Sequence, residues 1–405
     1  MFPLRTVVVG TFLPTVLFEM GIGAIMPIVA ATATSFGASL ELAGLLLALI
    51  PVGQLIADIP AGILAARIGD RPAMIVAGLF AMVACVGAAL ATSVALLAAA
   101  MLGIGGASAV YFLARQSYLT EVTDPLRRAR VLSTLGGVHR IGLFLGPFLG
   151  AALISVWSLG IVYWVAAGLA LASVIVAALS GPDRPRGSRA DRAAQKRERP
   201  IGMGQVFREH WQVLATLGIA VLLIGAVRGA RTTVLPLWAE HIGLDPALTS
   251  VVFGVANACD ALLFYPAGWI MDRFGRLAIG VPSMLAMGVG LAVLPFTDDL
   301  VGITVVAVIL GLGNGLSSGI LMTLGADVAP AGARSQFLAL WRVLTDFGTM
   351  SGPLILSLAA ALGSLAVGVW VTGGFSLAAV GAQVRWVPRH TVHASNRTRR
   401  AAGLL

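Results

Sequence analysis

The segment PAGILAARIGDR at residues 60–71 recurs as PAGWIMDRFGRL at residues 266–277, a shift of 206 positions that aligns a proline, two glycines and an arginine. The same shift aligns GLFLGPFL at 142–149 with GTMSGPLI at 348–355. A single offset that serves segments so far apart in the chain indicates an internal duplication. We therefore predict two copies of one structural unit.

The composition is typical of a membrane protein. Of the 405 residues, 58% are hydrophobic and 11% are charged, and the mean hydropathy is +0.94, whereas soluble domains carry about 25% charged residues. Apolar runs of about 20 residues, long enough to cross a bilayer as a helix, recur along the chain. Because unpaired backbone groups are not tolerated in lipid, we predict an all-α membrane protein with twelve transmembrane helices in two pseudo-symmetric six-helix bundles. The predicted spans are 6–31, 41–66, 73–91, 95–119, 130–155, 160–180, 208–238, 247–270, 277–296, 300–325, 335–360 and 364–386.

The arginines of the loops predict the orientation in the membrane. Alternate loops are rich in arginine, whereas the remaining loops contain no Lys or Arg; these are near 32–40, 92–94, 156–159, 240–246, 297–299 and 361–363. Basic loops stay on the cytoplasmic side of a membrane. We therefore predict a multi-pass protein of the bacterial cytoplasmic (inner) membrane with both termini cytoplasmic. The same pattern accounts for the net charge of +9, so no nucleic acid partner is predicted.

The polar segments divide the chain into four parts. We predict an N-terminal six-helix bundle at 1–180, a basic cytoplasmic linker at 181–207, a C-terminal six-helix bundle at 208–387 and a basic cytoplasmic tail at 388–405. The linker is expected either to rest against anionic lipid headgroups or to be a solvated connection. Duplicated bundles are the usual plan of secondary transporters, in which the substrate site lies between the repeats.

The loop between spans 2 and 3 and its copy carry a recognisable motif. The chain resembles the major facilitator superfamily over essentially its whole length, and in that family this loop has the form G-x-x-x-D-R-x-G-R. The second copy is intact, whereas Ala66 replaces the acid in the first. The resemblance implies that the loop ties the cytoplasmic ends of the helices together in the outward-open state, and we hypothesise that Asp58 partly replaces the missing acid. The motif residues are Gly62, Arg67 and Gly69 in the first copy and Gly268, Asp272, Arg273, Gly275 and Arg276 in the second.

Span 5 contains a Gly-Pro pair inside an apolar run. The segment GLFLGPFLGA at 142–151 resembles the signature G-x-x-x-G-P-x-x-G-[GA] of the drug:proton antiporter branch of the same family. Glycines four residues apart let another helix backbone approach closely, and proline bends a helix. A glycine face alone is also ordinary membrane packing. The residues are Gly142, Gly146, Pro147 and Gly150, with the weaker copy Gly348, Gly352 and Pro353.

Charged residues inside the spans define the candidate site, because charges are costly in lipid and mark function. We predict three proton-coupling acids, in the order Glu19, Asp346 and Asp260, since motion that separates an acid from an arginine changes its affinity for a proton. Glu19 is expected at the depth of Arg140 and is predicted to pair with it, either functionally or as a purely structural ion pair. The candidates for the cavity, for ion pairs or for a gate are Arg140, Arg228, Arg231, Asn257, Arg342 and Arg115.

These features predict a transporter rather than an enzyme. The sequence contains no phosphate-binding loop, no metal-ligand constellation and no nucleophile motif. We predict a secondary active transporter that exports small amphipathic organic compounds (drugs or metabolites) by alternating access, without a cofactor and with the proton gradient as energy source. Sugars, amino acids or another native metabolite are alternative substrates, and a non-transporting membrane sensor is the alternative from another class. The predicted partners are a small-molecule substrate, protons and membrane lipids, with the chain as a monomer.

Overall fold

The structure is a computed structural model that describes residues 8–123, 128–180, 203–330 and 333–403. Every regular element in these ranges is helical, in agreement with the predicted all-α fold. Twelve of the described helices are long and apolar enough to cross a membrane, which is the predicted number. They are α1 (Gly10–Ser35), α2 (Leu40–Ile68), α3 (Asp70–Ala89), α4 (Val94–Val122), α5 (Arg128–Val156), α6 (Leu159–Leu179), α7 (Met203–His241), α8 (Pro246–Phe274), α9 (Leu277–Val293), α10 (Leu300–Val328), α11 (Arg334–Ala361) and α12 (Leu365–His390).

Helices α2 and α8 have recognisable capping residues at their ends. At the end where α2 and α8 begin, which we call the acidic end, the Asp245 side chain accepts hydrogen bonds from two amides in the first turn of α8. At the other end, which we call the basic end, α2 and α8 finish at Gly69 and Gly275. These glycines have φ angles of 107° and 97°, a region that residues with a Cβ rarely adopt. The duplicated motif therefore ends equivalent helices in the two copies.

The glycine face of α5 lies directly against α1. A Cβ on Gly142 would come within 2.6 Å of the Cβ of Glu19, and one on Gly146 within 2.6 Å of the Ala24 amide nitrogen. In the second copy, a Cβ on Gly352 would lie 2.5 Å from the amide nitrogen of Ala230 on α7. The helix pairs α1–α5 and α7–α11 are therefore close because glycine leaves room for the neighbouring backbone.

The main helix contacts between the two copies are those of α2 with α11 and of α5 with α8. At the acidic end the Thr34 hydroxyl donates a hydrogen bond to Glu240 at 2.6 Å, and the Ser357 hydroxyl donates to the carbonyl oxygen of Glu41 at 2.6 Å. Thr34 and Glu240 are themselves 206 positions apart, so this bond joins equivalent positions of the two copies. The two halves are thus in contact at the acidic end.

Helix α7 begins earlier than the sequence predicts. It is already helical at Met203, inside the range 181–207 that is predicted as a linker, and it contains a kink at His210. Its first turns carry the fully buried Val206 beside the exposed Phe207, and a two-sided helix of this kind can run along the surface of a bundle. The linker residues 181–202 lie outside the described residues.

Helix α10 is interrupted, whereas the sequence predicts a continuous span. The helix runs from Leu300 to Leu316 and resumes at Ile320, and Gly319 between the two parts has a φ of 79°. Hydropathy averaged over a whole span does not register this break, because the residues between the two parts are a small share of the apolar span Leu300–Val328. Broken helices in transporters are typical of substrate and ion sites, and this break places Ser318 beside a charged residue of α5.

Candidate functional site

The first charged cluster is held between α1, α4 and α5. Glu19 is 7% exposed, and its Oε1 accepts a hydrogen bond from the guanidinium of Arg115 at 2.8 Å. The same oxygen lies 2.8 Å from Nδ1 of His139. Arg115 is fully buried, and its guanidinium lies 4.7 Å from the ring centre of Phe112. This cluster is a buried ion pair with a titratable imidazole at its edge.

The predicted pair between Glu19 and Arg140 is wrong. Consecutive residues of a helix point about 100° apart, and His139 is the one that faces α1 beside the glycine face. Arg140 points instead toward the second half of the chain. Arg115, predicted as a gate residue, is the partner of Glu19 in this structure. Sequence spacing on α5 alone does not reveal that α4 supplies the arginine.

The second cluster joins the two halves. Arg342 of α11 lies 3.2 Å from Asp58 of α2 and 3.3 Å from Asp346, one turn along its own helix. The two carboxyl groups thus share one guanidinium and interact electrostatically with each other. The side chains of Arg342, Asp58 and Asp346 are 39%, 18% and 30% exposed, so the cluster borders an accessible cleft. Asp58 ties α2 to α11 here, and its role in place of the acid missing at Ala66 stays a prediction.

Three arginines approach one acid in the third cluster, where α5, α7, α8 and α10 meet. Arg140 Nε lies 3.7 Å from Asp260 Oδ1, and the Arg140 guanidinium also donates to the Ser318 hydroxyl at the break of α10. Arg228 donates to Asn314 Oδ1 at 3.0 Å, and the Asn314 amide donates to Asp260 at 2.9 Å. Asp260 on α8 is therefore the acid near all three arginines, and its hydrogen bond is with Asn314.

Arg231 completes the third cluster one turn further along α7. Its guanidinium donates to Asn257 Oδ1 at 3.1 Å, and the Asn257 amide donates to the carbonyl oxygen of Leu143 at 3.0 Å. The residues predicted on α7 and α8 thus come together. Asn314 and Ser318 were not predicted: an amide within an apolar span is a usable signal for Asn314, whereas nothing in the sequence distinguishes Ser318 from a packing serine.

The exposure of the cluster residues differs between the two ends of the bundle. Arg342 and His139, in the parts of their helices nearer the basic end, have side chains that are 39% and 30% exposed. Arg231 and Asn257, nearer the acidic end, are 4% and 8% exposed. The cluster residues nearer the basic end are thus more accessible than those nearer the acidic end, where hydrogen bonds also join the two halves.

The second copy of the loop motif is held by the C-terminal segment. Arg276 makes two hydrogen bonds to Asp327 at the end of α10, at 3.0 and 3.1 Å, and its amide donates to the carbonyl oxygen of His393. Arg399, on the short helix α13 (Asn396–Ala401), donates to the carbonyl oxygen of Asp272 in the last turn of α8 at 2.7 Å. The carboxylate that pairs with the motif is therefore Asp327, and the predicted tail is packed on the bundle.

The first copy of the motif uses a different contact. Arg71 donates hydrogen bonds to the carbonyl oxygens of Ala177 and Ala178 at the end of α6, at 2.8 and 2.7 Å. A guanidinium at the end of a helix is favourable because the last carbonyls lack partners and carry partial negative charge. An arginine of the loop thus binds the end of α6 in the first half, whereas in the second half Arg399 of the C-terminal segment binds the end of α8.

The three clusters can bind charge, and they differ in net charge. The first balances Glu19 against Arg115, the second places two carboxylates against one arginine, and the third places three arginines against one carboxylate. Within the described ranges, no group of three or more His, Cys, Asp or Glu residues is placed to hold a metal ion. Charged side chains of this kind can bind protons and charged solutes.

Comparison with known proteins identifies one family and two relatives of this chain. A sequence profile described as Major Facilitator Superfamily matches residues 11–344 and 217–404. The multidrug resistance protein MdtL of Escherichia fergusonii is 26% identical over 300 residues, which are 72% of this chain and 73% of that protein. The niacin transporter NiaP of Acinetobacter baylyi is 26% identical over 160 residues, 38% of this chain but only 34% of that protein.

A solved structure shows the same fold. The crystal structure of the nucleoside transporter NupG superposes with a TM-score of 0.72 at 14% identity and covers 94% of this chain and 98% of that one. At this identity the likeness shows the shared fold alone. The matched proteins are all transporters, in agreement with the prediction that the chain is not an enzyme.

Proposed function

Because this chain belongs to the major facilitator superfamily, we propose that it exports small organic compounds in exchange for protons by alternating access. The observation that supports this proposal is the ion pair between Asp58 and Arg342, which joins the two halves inside the cleft. When the halves change their relative position, this pair must break and re-form. A charged contact of this kind couples the conformation of the protein to the charge of the acid.

The second cluster offers a place for a transported proton. Asp58 and Asp346 share Arg342, so the cluster carries one negative charge in excess when both acids are ionised. One proton bound between the two carboxylates neutralises that excess, which is a strong benefit in a membrane span. Loss of the cross-half contact to Arg342 changes the charge balance, and the proton is then taken up or released on one side only.

Glu19 is the first proton-coupling candidate predicted from the sequence, and we assign it a role beside that of Asp58 and Asp346. Its carboxylate is held by Arg115 and by His139, and His139 precedes Arg140 in the chain. A change of protonation at Glu19 therefore acts on α5, the helix that also reaches the third cluster. We include Glu19 in the coupling pathway between the proton and the substrate.

The proposed setting follows the charge distribution. The basic end faces the cytoplasm of a bacterium, both termini are cytoplasmic, and the chain acts as a monomer in the inner membrane. The multidrug resistance protein among the relatives supports an exported drug-like compound, and the niacin transporter supports a metabolite. Amphipathic organic compounds include both.

The proposal is tested by proton flux in everted membrane vesicles. The vesicles are acidified inside by respiration, the gradient is followed with a pH-sensitive acridine dye, and candidate compounds are added one at a time. An exchanged compound is expected to restore the dye fluorescence. Asp346→Asn and Glu19→Gln are expected to abolish this response, and Asp298→Asn, an exposed acid at the acidic end, serves as the matched control.

The same vesicles separate the alternatives. Uptake of a radiolabelled compound without any change of the proton gradient would remove proton coupling and leave transport intact. Binding of a compound without accumulation under any gradient would support a membrane sensor. Full proton exchange in both Asp346→Asn and Glu19→Gln would exclude these acids from the mechanism.

A further inference from the structure

The third cluster contains more positive charge than its surroundings balance. Arg140, Arg228 and Arg231 converge on Asp260, which is the described carboxylate that interacts electrostatically with both α7 arginines. If all four groups are ionised, two positive charges are left in excess. The other hydrogen-bond partners of the arginines are neutral: the side chains of Asn314, Asn257 and Ser318 and the carbonyl oxygen of Gly136. Neutral amides satisfy hydrogen bonds but do not offset charge.

These arginines also have donors to spare. The residue Arg231 is 4% exposed, and its Nε is buried without a hydrogen-bond acceptor in the described part of the chain. Nε of Arg140 is also buried without an acceptor there. A buried guanidinium donor without an acceptor is costly. The donors belong to both halves of the protein, since Arg140 lies on α5 and Arg231 on α7. An acceptor placed between them would be bound by both halves at once.

The resident carboxylate is held loosely. Asp260 Oδ1 lies 3.7 Å from Arg140 Nε, which is beyond hydrogen-bond distance, and this oxygen has no hydrogen-bond donor among the described residues. Its firm contact is made by the other oxygen, with the Asn314 amide at 2.9 Å. Asp260 thus lies near the arginines without occupying their donors. An external carboxylate can take these donors because arginine binds planar oxyanions through paired hydrogen bonds.

We propose that the third cluster is the substrate site and that the substrate carries a carboxylate, so that the compound carried is a small organic anion. The substrate carboxylate accepts from Arg140, Arg228 and Arg231 and competes with Asp260 for them. The ring of Phe264, 4.3 Å from the Arg140 guanidinium, offers an apolar surface beside the charge. This proposal rests on the proposed transport function and narrows its substrate class, because two excess positive charges disfavour a cationic drug.

The proposal is tested by equilibrium binding to the purified full-length protein in detergent, at constant chloride concentration and without any gradient. The probes are benzoate and benzamide, which have nearly the same shape and differ in charge. Benzoate is expected to bind at least about tenfold more tightly than benzamide, as measured by isothermal titration calorimetry. Arg231→Gln and Arg228→Gln are expected to remove this preference, and Arg385→Gln, an exposed arginine on α12, is expected to keep it.

Asp260→Asn gives an independent test if the arginine variants do not fold. Removal of the competing carboxylate is expected to tighten benzoate binding by about tenfold and to make the melting temperature more dependent on added benzoate. Equal binding of benzoate and benzamide by the unaltered protein, or weaker benzoate binding in Asp260→Asn, would overturn the proposal. A compound that drives proton exchange in vesicles while benzoate is not preferred would leave the transport function standing and refute the anion site alone.

Discussion

The pair between Glu19 and Arg115 predicts a large coupling energy that can be measured. Arg115 is fully buried and Glu19 is 7% exposed, with 2.8 Å between the bonded atoms. Removal of one partner from a buried pair costs about 3–5 kcal/mol, because the remaining charge is left uncompensated. In Glu19→Gln the contact between Arg115 and Phe112 remains, so we expect the lower part of this range, about 3 kcal/mol.

A double-mutant cycle isolates this interaction. We expect Glu19→Gln and Arg115→Gln each to reduce the free energy of unfolding by about 3 kcal/mol, and the double variant to lose at least about 2 kcal/mol less than the sum, because it buries no unpaired charge. The measurement is unfolding by SDS in mixed micelles, followed by circular dichroism. Asp298→Asn, at an exposed position, is the control and should change the free energy by less than about 0.5 kcal/mol.

Additivity would refute this reasoning. If the double variant loses the sum of the two single losses, Glu19 and Arg115 do not stabilise each other. The pair would then be formed only transiently, and the buried position of Arg115 would need another source of compensation. A result in which both single variants are as stable as the control would have the same consequence.

Three further predictions concern packing, the C-terminal segment and the acidic end. Gly146→Ala should destabilise the protein by about 1–3 kcal/mol, because the new Cβ meets the α1 backbone. A Cβ on Gly137 would have no neighbouring atom within 4 Å, so Gly137→Ala should leave the melting temperature unchanged. Arg399→Ala should speed hydrogen exchange at the end of α8, because this side chain binds two carbonyl oxygens there. Arg400 is exposed, and Arg400→Ala should leave the exchange rate unchanged. Equal exchange rates in the two variants would contradict the contact. Thr34→Val should weaken closure at the acidic end by about 1 kcal/mol, seen as faster labelling of an engineered cysteine there, and unchanged labelling would contradict this role.

Many of the charged residues that form the three clusters are named from the sequence, but their pairings are not. Ten of the charged and amide residues named from the sequence lie in the three clusters, because an ionisable residue in an apolar span is visible in the sequence: Glu19, Asp58, Arg115, Arg140, Arg228, Arg231, Asn257, Asp260, Arg342 and Asp346. The pairings depend on the angle at which each side chain leaves its helix and on which helix stands opposite. His139 and Arg140 are neighbours in the chain and yet belong to different clusters.

The loop motif shows the same division for the basic end. The positions of Gly69 and Gly275 are evident from the repeat, and both glycines end a helix with a positive φ. The partner of Arg276 is Asp327, which lies 51 residues further along the chain and carries no recognisable signal. The packing of the C-terminal segment on α8 was also not predicted, since a short basic segment resembles an ordinary solvated tail.

The sequence by itself determined that the chain is a membrane protein, how many helices span the membrane, and that the chain contains an internal duplication. These properties are local or periodic: hydropathy is summed over about 20 neighbouring residues, and a repeat is a comparison of the sequence with itself. Only the tertiary structure decided which charges meet, where α10 breaks and which members of the clusters are accessible. Each of these depends on groups brought together from distant parts of the chain, and the energy of a buried charge is set by those neighbours rather than by its own position in the sequence.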